Sequence, residues 1–416
     1  MFTLPGLYEF LSQAWVDDAR RFLEQTIAAR CDQLPTFSVS ERFADAPPHL
    51  GFVDDVGAWN VRFDGTAVTV EPVFDATADV VIDGDYSAGL EMAQRVGFAG
   101  PGAMAAAWRE MSLHFGKDAL RVSGHISDPG VGVLLNELHD HLARRTMDNP
   151  DLLHRATRQG LVRHIREMEE QGYTVIEQAI SDEFADKVRD ATIRALSNQS
   201  QTTLNWMLYE GREFELLAQH PKLLTLVDAS LGRGAVIASF SGIRKGPGPG
   251  TIPLHVDYAL VPEPFPEWAV TGVGVWALED WTVASGPTWI VPGSHKRRRA
   301  PRAQDDVSDA VPIEMPKGSV VFFTEAVWHW QGDRTEPGER VTLHWHFNRG
   351  IMRSLEPKKV DPLLLHRNSP RLAEMLGEHD WFDKIVGTGR DYGRLGYQAQ
   401  LMRFTEQQKA KLLAVR

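Results

Sequence analysis

Two histidines and an aspartate are the first residues with chemistry to offer. His255-Val256-Asp257 lies in a β-rich run, LHVDYAL. Residues i and i+2 of a strand point to the same face, so this imidazole and carboxylate can meet at one point. The same tripeptide is also the pattern of a surface pair or of a hydrogen-bonded core histidine. His329 closes a second β-rich run, VVFFTEAVWH, and offers another imidazole. Two imidazoles and one carboxylate on one face of a metal leave coordination positions open. That suits non-haem Fe(II), which must take a cosubstrate and O2 together. A structural zinc site asks for four protein ligands, usually with cysteine. The chain has one cysteine, Cys31.

Arg340 follows His329 at the start of RVTLHWHF. A guanidinium grips a carboxylate through two parallel hydrogen bonds. Arg340, Thr342, His344 and His346 share one strand parity, and Val341, Leu343, Trp345 and Phe347 share the other. If Arg340 faces a cavity, Thr342 does too, and the two can hold one carboxylate. The alternative is a half-exposed edge strand with its polar residues in water. His344 and His346 could touch substrate or cosubstrate, or be buried and hydrogen-bonded. The run His295-Lys-Arg-Arg-Arg-Ala-Pro-Arg302 could draw in an anionic substrate or be a solvated loop. Lys245-Gly-Pro-Gly-Pro-Gly250 lacks the glycine spacing of a nucleotide-binding turn and reads as a loop shaping a cavity entrance.

These residues need elements to position them. From about 235 the chain runs in short β-rich stretches broken by Gly and Pro: AVIASFSGI, LHVDYAL, VTGVGVWAL, PTWIVPG, GSVVFFT and RVTLHWHF. That texture predicts a β-sandwich or small barrel. Helices are expected at about 152–170, with Gly172 past its end, and after Ser181; YTVIE is a strand between them. The stretch 361–416 has a helical pattern. Upstream, apolar spacing predicts one helix over 6–30. WNVRF, TAVTVEPV, ADVVID and ALRVSG read as strands, with helices at about 87–97, 102–115 and from Pro129, capped by Asp128, to Arg145.

The chain has 416 residues and a formal net charge of −12. Residues 1–150 hold 22 acidic and 11 basic side chains, whereas the remainder holds 34 and 33, so the charge changes near 150. Two modules are expected, an α+β domain at 1–146 and a second domain at 152–416, joined by MDNPD. No basic domain exists, which argues against nucleic acid as the main partner. No apolar run approaches the roughly 18 residues of a membrane span. No signal peptide is visible, and a cytoplasmic setting is expected.

The stretch from about 152 to 355 resembles the phytanoyl-CoA dioxygenase family of Fe(II)- and 2-oxoglutarate-dependent oxygenases. The resemblance is carried by GYTVIEQAISDEFADKVR, His255-x-Asp257, LEDWTVASGPTWIVPGSHK, and GSVVFFTEAVWHWQGDRTEPGERVTLHWHF. It implies a double-stranded β-helix (jelly-roll) barrel with flanking helices. It implies His255, Asp257 and His329 as iron ligands, and Arg340 on the distal carboxylate of 2-oxoglutarate, with Thr342 and Gln331 near that cosubstrate. It departs from the family at Val275, where a tryptophan is common; Trp276 stands beside it on the opposite face. Related iron halogenases replace the carboxylate with a small residue. Asp257 is retained, which implies hydroxylation of a small, hydrophobic or acyl-type molecule with release of succinate and CO2. A lipid-binding protein with an iron-loaded but poorly active barrel is the alternative. Residues 1–146 resemble the sterol carrier protein type two family, which implies a lipid-binding module; a scaffolding role is the alternative there.

Overall fold

The computed structural model describes all residues except 1–5, 31–32, 98–102, 198–201, 259, 353–359, 379–384, 387–388, 391 and 415–416. Cys31 therefore lies outside the described residues. The chain divides into two compact units: Met1–Arg158 with Val360–Glu374 and Trp381–Leu401, and Gln159–Lys359 with Met375–Asp380 and Met402–Arg416.

The first unit is built on a five-stranded sheet ordered Ala67–Glu71, Gly57–Gly65, Leu34–Ala44, Val80–Asp85, Leu120–Gly124. Its central strand, Leu34–Ala44, is not among the runs expected above. It pairs antiparallel with Gly57–Gly65 and parallel with Val80–Asp85. Phe37, Val39, Phe43, Val61, Phe63 and Val80 bury one face of the sheet against Trp15, Leu23 and Ile27 of helix Gln13–Arg30 and Val131, Leu134 and Leu138 of helix Pro129–Ala143. The predicted single helix over 6–30 is shorter. Ser12 caps it through the Trp15 amide (3.3 Å), and Tyr8–Glu9 pairs instead as a strand with Thr146–Met147, which reaches the first residue of the stretch expected as linker. Asp128 caps its helix as expected, accepting from the Val131 amide. Residues 360–374 and 381–401 group with this unit although a single 152–416 domain was expected. Arg371 pairs with Asp148 at 3.3 Å, and Tyr397 and Leu401 cluster with Met147. The expected 152–170 helix breaks at Gly160, which takes a positive φ, into Leu152–Arg158 and Val162–Gln171.

The second unit carries a six-stranded sheet, antiparallel throughout, ordered Tyr173–Ile176, Val320–Thr324, Thr271–Ala277, Arg340–Asn348, Val236–Lys245, Thr203–Leu204. A three-stranded sheet orders Val311–Pro312, Thr288–Ile290 and His329–Gln331. The two share one apolar core. Val273, Val275, Ala277, Val321 and Phe323 meet Ile290, Ile313, Met315, Trp281 and Val327. Gly172 ends Val162–Gln171 at φ +84, as expected, and Ser181 accepts from the Phe184 amide at the start of Asp182–Ser197.

One expected strand is absent. Among the described residues of LHVDYAL, which leave out 259, no strand forms, and His255 makes an isolated bridge to His329.

Candidate active site

His255 and His329 exchange backbone hydrogen bonds in both directions, each 3.0 Å, and the Asp257 amide donates to the Glu325 carbonyl at 3.0 Å. These bonds clamp an irregular segment onto the run that carries His329. So the His-x-Asp pair converges, though a bridge rather than a strand's pleat aims it. Ligating atoms of His255, Asp257 and His329 all lie within 4.8 Å of one another. His255 Nε2 is 3.2 Å from one Asp257 oxygen, and His329 Nε2 is 3.4 Å from the other. On each ring Nδ1 faces a carbonyl, Pro253 at 2.8 Å and Val327 at 2.9 Å. A nitrogen facing a carbonyl must carry the proton. Each Nε2 is therefore the nitrogen turned toward Asp257: protonated, it donates to the carboxylate, and once that proton leaves, its lone pair is aimed to ligate. Burial opposes the charge on Asp257, but hydrogen bonds from His255 and His329 and the positive potential of His329 and His346 outweigh it. The carboxyl is held well below its usual range. The Asp257 bond in turn raises His255.

Arg340 begins the strand next to this cluster and is 4% exposed. Its Nη1 donates to the Gly286 carbonyl at 2.5 Å, and its guanidinium lies 4.5 Å over the Trp281 ring. Its buried Nε has no hydrogen-bond partner, and no carboxylate forms an ion pair with it among the described residues. Burial, with Arg334 nearby, pulls Arg340 down to about 10. Lys245 is directly opposite on the neighbouring strand and donates to the Gly332 carbonyl at 2.7 Å. A buried, under-bonded cation beside further cations is a place prepared for an anion.

Paired residues of an antiparallel ladder share a face. Ser239, Ser241 and Ile243 therefore lie beside His346, His344 and Thr342, and Val273, Val275 and Ala277 flank the same three residues on the other side. Val273, Val275 and Ala277 belong to the core shared by the two sheets, so the polar parity of Arg340–Asn348 points inward. Thr342 is buried there, two residues from Arg340. His344 is pushed down to about 3 by burial and by His346 and Arg340, so it is a neutral imidazole within electrostatic reach of Asp257 and His329. His346 Nδ1 sits 2.6 Å from Glu325, whose other oxygen accepts from Thr271. Gln331 is on the strand of His329, and its carbonyl oxygen accepts from the Thr251 amide (2.9 Å) and hydroxyl (3.0 Å). It pins the neighbouring loop and keeps only its amide N–H groups for another partner.

Two participants escaped the sequence reading. Glu325 had a signal, an acid inside the otherwise apolar run that leads to His329. Trp281, under Arg340, had none beyond the abundance of tryptophan in the region. The basic run is largely tied down: Arg299 pairs with Asp305 at 2.7 Å, Arg298 with Glu267 at 2.9 Å, and Arg297 and Arg299 lie over Trp328. The glycine-proline loop is held by Gly248 to Arg334 and by the Gly250 amide to Asp333.

Residues 168–340 match the phytanoyl-CoA dioxygenase (PhyH) family profile, and that span runs from just before the first strand of the large sheet to Arg340. This segment is a phytanoyl-CoA dioxygenase family domain. An uncharacterized protein of Mycobacterium tuberculosis is 23% identical over 245 residues, covering 53% of this chain and 87% of its own length. The dioxygenase andF of Emericella variicolor is 29% identical over 140 residues, 32% of this chain and 44% of its own. Among solved structures, HygX of Streptomyces hygroscopicus with nickel and 2-oxoglutarate bound is 16% identical, covering 47% of this chain and 89% of that one at a TM-score of 0.40. The non-heme alpha ketoglutarate dependent carbocyclase SnoK from nogalamycin biosynthesis is 20% identical, covering 48% and 93% at 0.38. The family domain supports an oxygenase enzyme. No helix among the described residues is long and apolar enough to cross a membrane.

Proposed function

We propose that this protein is an Fe(II)- and 2-oxoglutarate-dependent dioxygenase that hydroxylates a small, hydrophobic or acyl-type molecule on a double-stranded β-helix scaffold. The observation that carries the reading is one constellation. Two pre-oriented Nε2 atoms and a carboxylate converge beside a buried arginine whose Nε lacks a partner. The donor set fits the metal: two imidazoles and one carboxylate suit non-haem iron with open positions. The arginine fits the cosubstrate, because a dicarboxylate supplies the anion that Arg340 lacks.

In this reading His255, Asp257 and His329 hold the iron. Arg340 binds the distal carboxylate, with the Thr342 hydroxyl as a second donor and Gln331 near the same end. Iron and 2-oxoglutarate together supply the oxidising power from O2, with succinate and CO2 as by-products. The chain's own residues do the placing. Pro253 and Val327 fix the two imidazole tautomers. Gly286 and the Trp281 face hold the guanidinium at one angle. His344, neutral, offers a hydrogen bond without adding positive charge beside the metal. Asp257 fills the position that halogenases leave to a halide, which favours hydroxylation.

The test is an anaerobic titration of the apoprotein with Fe(II) and then 2-oxoglutarate, followed in the visible. A charge-transfer band that needs both additions is the expected result. Iron binding without a band would refute the cosubstrate assignment and favour a binding protein with an inert barrel.

A further inference from the structure

The inward row of Arg340–Asn348 has two unlike flanks. On one, Val273, Val275 and Ala277 are shut off from solvent to within 1%. On the other, Ser239 and Ser241 lie beside His346 and His344. The row is open on this second side. His344 and His346 are half-buried, and Asn205, just past the edge strand Thr203–Leu204, is exposed and accepts from the Ser241 hydroxyl at 2.8 Å.

Most of the hydrogen-bonding capacity on this flank is unspent. The Ser239 and Ser241 hydroxyls are 3.5 Å apart, at the limit of a hydrogen bond. His344 forms no hydrogen bond with any described residue. A neutral imidazole carries one donor and one acceptor, so both are open here. The flank also lacks usable charge. Glu325 is already bonded by His346 and Thr271. On the inward parity of Val236–Lys245 the first cation is Lys245, opposite Arg340 at the far end.

We propose that the hydrophobic molecule of the proposed reaction carries a neutral polar edge, a pair of hydroxyls on neighbouring carbons, and that this edge docks on Ser239, Ser241 and His344. The inference rests on the oxygenase reading of the iron site and narrows its substrate class. Spacing selects the pair. Two serine hydroxyls 3.5 Å apart on one face meet two hydroxyls borne by adjacent carbons, and every hydroxyl both gives and accepts. Charge selects neutrality. An anion finds no cation on this flank, because Arg340 is committed to the cosubstrate, and a cation finds no open carboxylate. An apolar ligand would strip water from these groups and return nothing, whereas hydroxyls replace water's hydrogen bonds in kind.

The test uses the full chain loaded with Fe(II) and 2-oxoglutarate without O2. It reads the shift of the charge-transfer band as cis-1,2-cyclohexanediol, cyclohexanol or cyclohexanecarboxylate is added at millimolar concentrations. The diol should bind about three- to tenfold more tightly than cyclohexanol, the worth of one hydroxyl's bonds. Cyclohexanecarboxylate should bind no more tightly than cyclohexanol. Ser241→Ala should erase the diol's advantage, and Ser239→Ala serves as a second variant if the first does not fold. The ratio of two probes in the same protein cancels any change in iron or cosubstrate loading. Failure divides in two. If Fe(II) and 2-oxoglutarate give no band, the oxygenase reading falls and this inference with it. The polar edge alone is refuted if the band forms but no probe shifts it, the diol has no advantage, or the carboxylate binds best. It is refuted equally if the advantage survives in both serine variants, as direct binding to iron would make it.

Discussion

Replacing Arg340 with methionine should have almost opposite consequences for the free and the loaded protein. In the free protein the buried cation carries a penalty. Its depression from the ordinary arginine value to about 10 corresponds to about 3 kcal/mol against keeping the charge in the folded state. Two contacts work the other way. The charged hydrogen bond to Gly286 contributes about 1.5–3 kcal/mol, and the cation over Trp281 about 0.5–2 kcal/mol. These contributions cancel to within about 2 kcal/mol, so Arg340→Met should leave the apoprotein's denaturant midpoint nearly unchanged. The loaded protein differs. Two charge-assisted bonds to a carboxylate are lost, about 3–6 kcal/mol or roughly a hundredfold and more in affinity. At a 2-oxoglutarate concentration about 100 times the wild-type Kd, with Fe(II) and without O2, ligand binding should stabilise the wild type by about 2.7 kcal/mol. The variant should gain under about 0.5 kcal/mol under the same conditions. Paired unfolding curves with and without cosubstrate read both quantities. An apoprotein loss above about 3 kcal/mol would make Arg340 a structural anchor. An undiminished stabilisation by 2-oxoglutarate would place the carboxylate elsewhere.

Three other perturbations follow from the same geometry. Asp257→Ala removes the anionic member of the cluster and should abolish succinate formation and weaken Fe(II) retention on desalting; unchanged succinate would remove Asp257 from the ligand set. Gly172→Ala puts a side chain at φ +84, pressed into Val327 and His295, and should cost about 2–5 kcal/mol while loosening Fe(II) through the Val327 carbonyl that orients His329; a wild-type melting temperature would contradict this. Glu41 is raised to about 7 in the folded chain, so between about pH 4.5 and 7 the unfolded chain sheds this proton while the folded one keeps it. Its contribution to stability therefore falls as pH rises through that window, by at most about 3 kcal/mol. Glu41→Gln should flatten that slope and be the more stable protein above neutrality, whereas parallel pH profiles would show that Glu41 ionises as an ordinary exposed acid.

The chemistry was more legible than the scaffold. His255, Asp257, His329 and Arg340 stood out because ligation and carboxylate binding, the roles proposed for them, demand those residue types, and the first three do converge. Their supports are mostly backbone, Pro253, Val327 and Gly286 carbonyls, which leave no mark in a sequence. Period-two reasoning brought His255 and Asp257 together although no strand exists there; a reciprocal backbone bridge to His329 does the same work. The strand Leu34–Ala44 was hidden by Glu41, since an acid in the inward row breaks the apolar alternation that marks a strand. The start of the first helix was misplaced because Leu7, Phe10 and Leu11 are apolar at helical spacing, yet Ser12 caps the helix behind them.

The strand Arg340–Asn348 shows why the pattern alone could not settle its direction. One polar and one apolar parity fit equally well with polar residues in water or polar residues inside. The deciding information lies in other parts of the chain. Val341, Leu343, Trp345 and Phe347 are each buried to within 1%, with Trp345 stacked on Phe240 and Phe240 against Phe214. On the same side of the sheet, Leu223 packs against Gly274 and His220 against Trp276. Once the apolar parity is covered from outside, the polar parity has only the interior left. Leaving buried polar groups unbonded costs about 1–3 kcal/mol each, so an interior row holding an under-bonded guanidinium and a neutral histidine is poor packing unless something enters to bond it. The orphaned Arg340 Nε and the convergent Nε2 atoms of His255 and His329 are what such an entrant would complete.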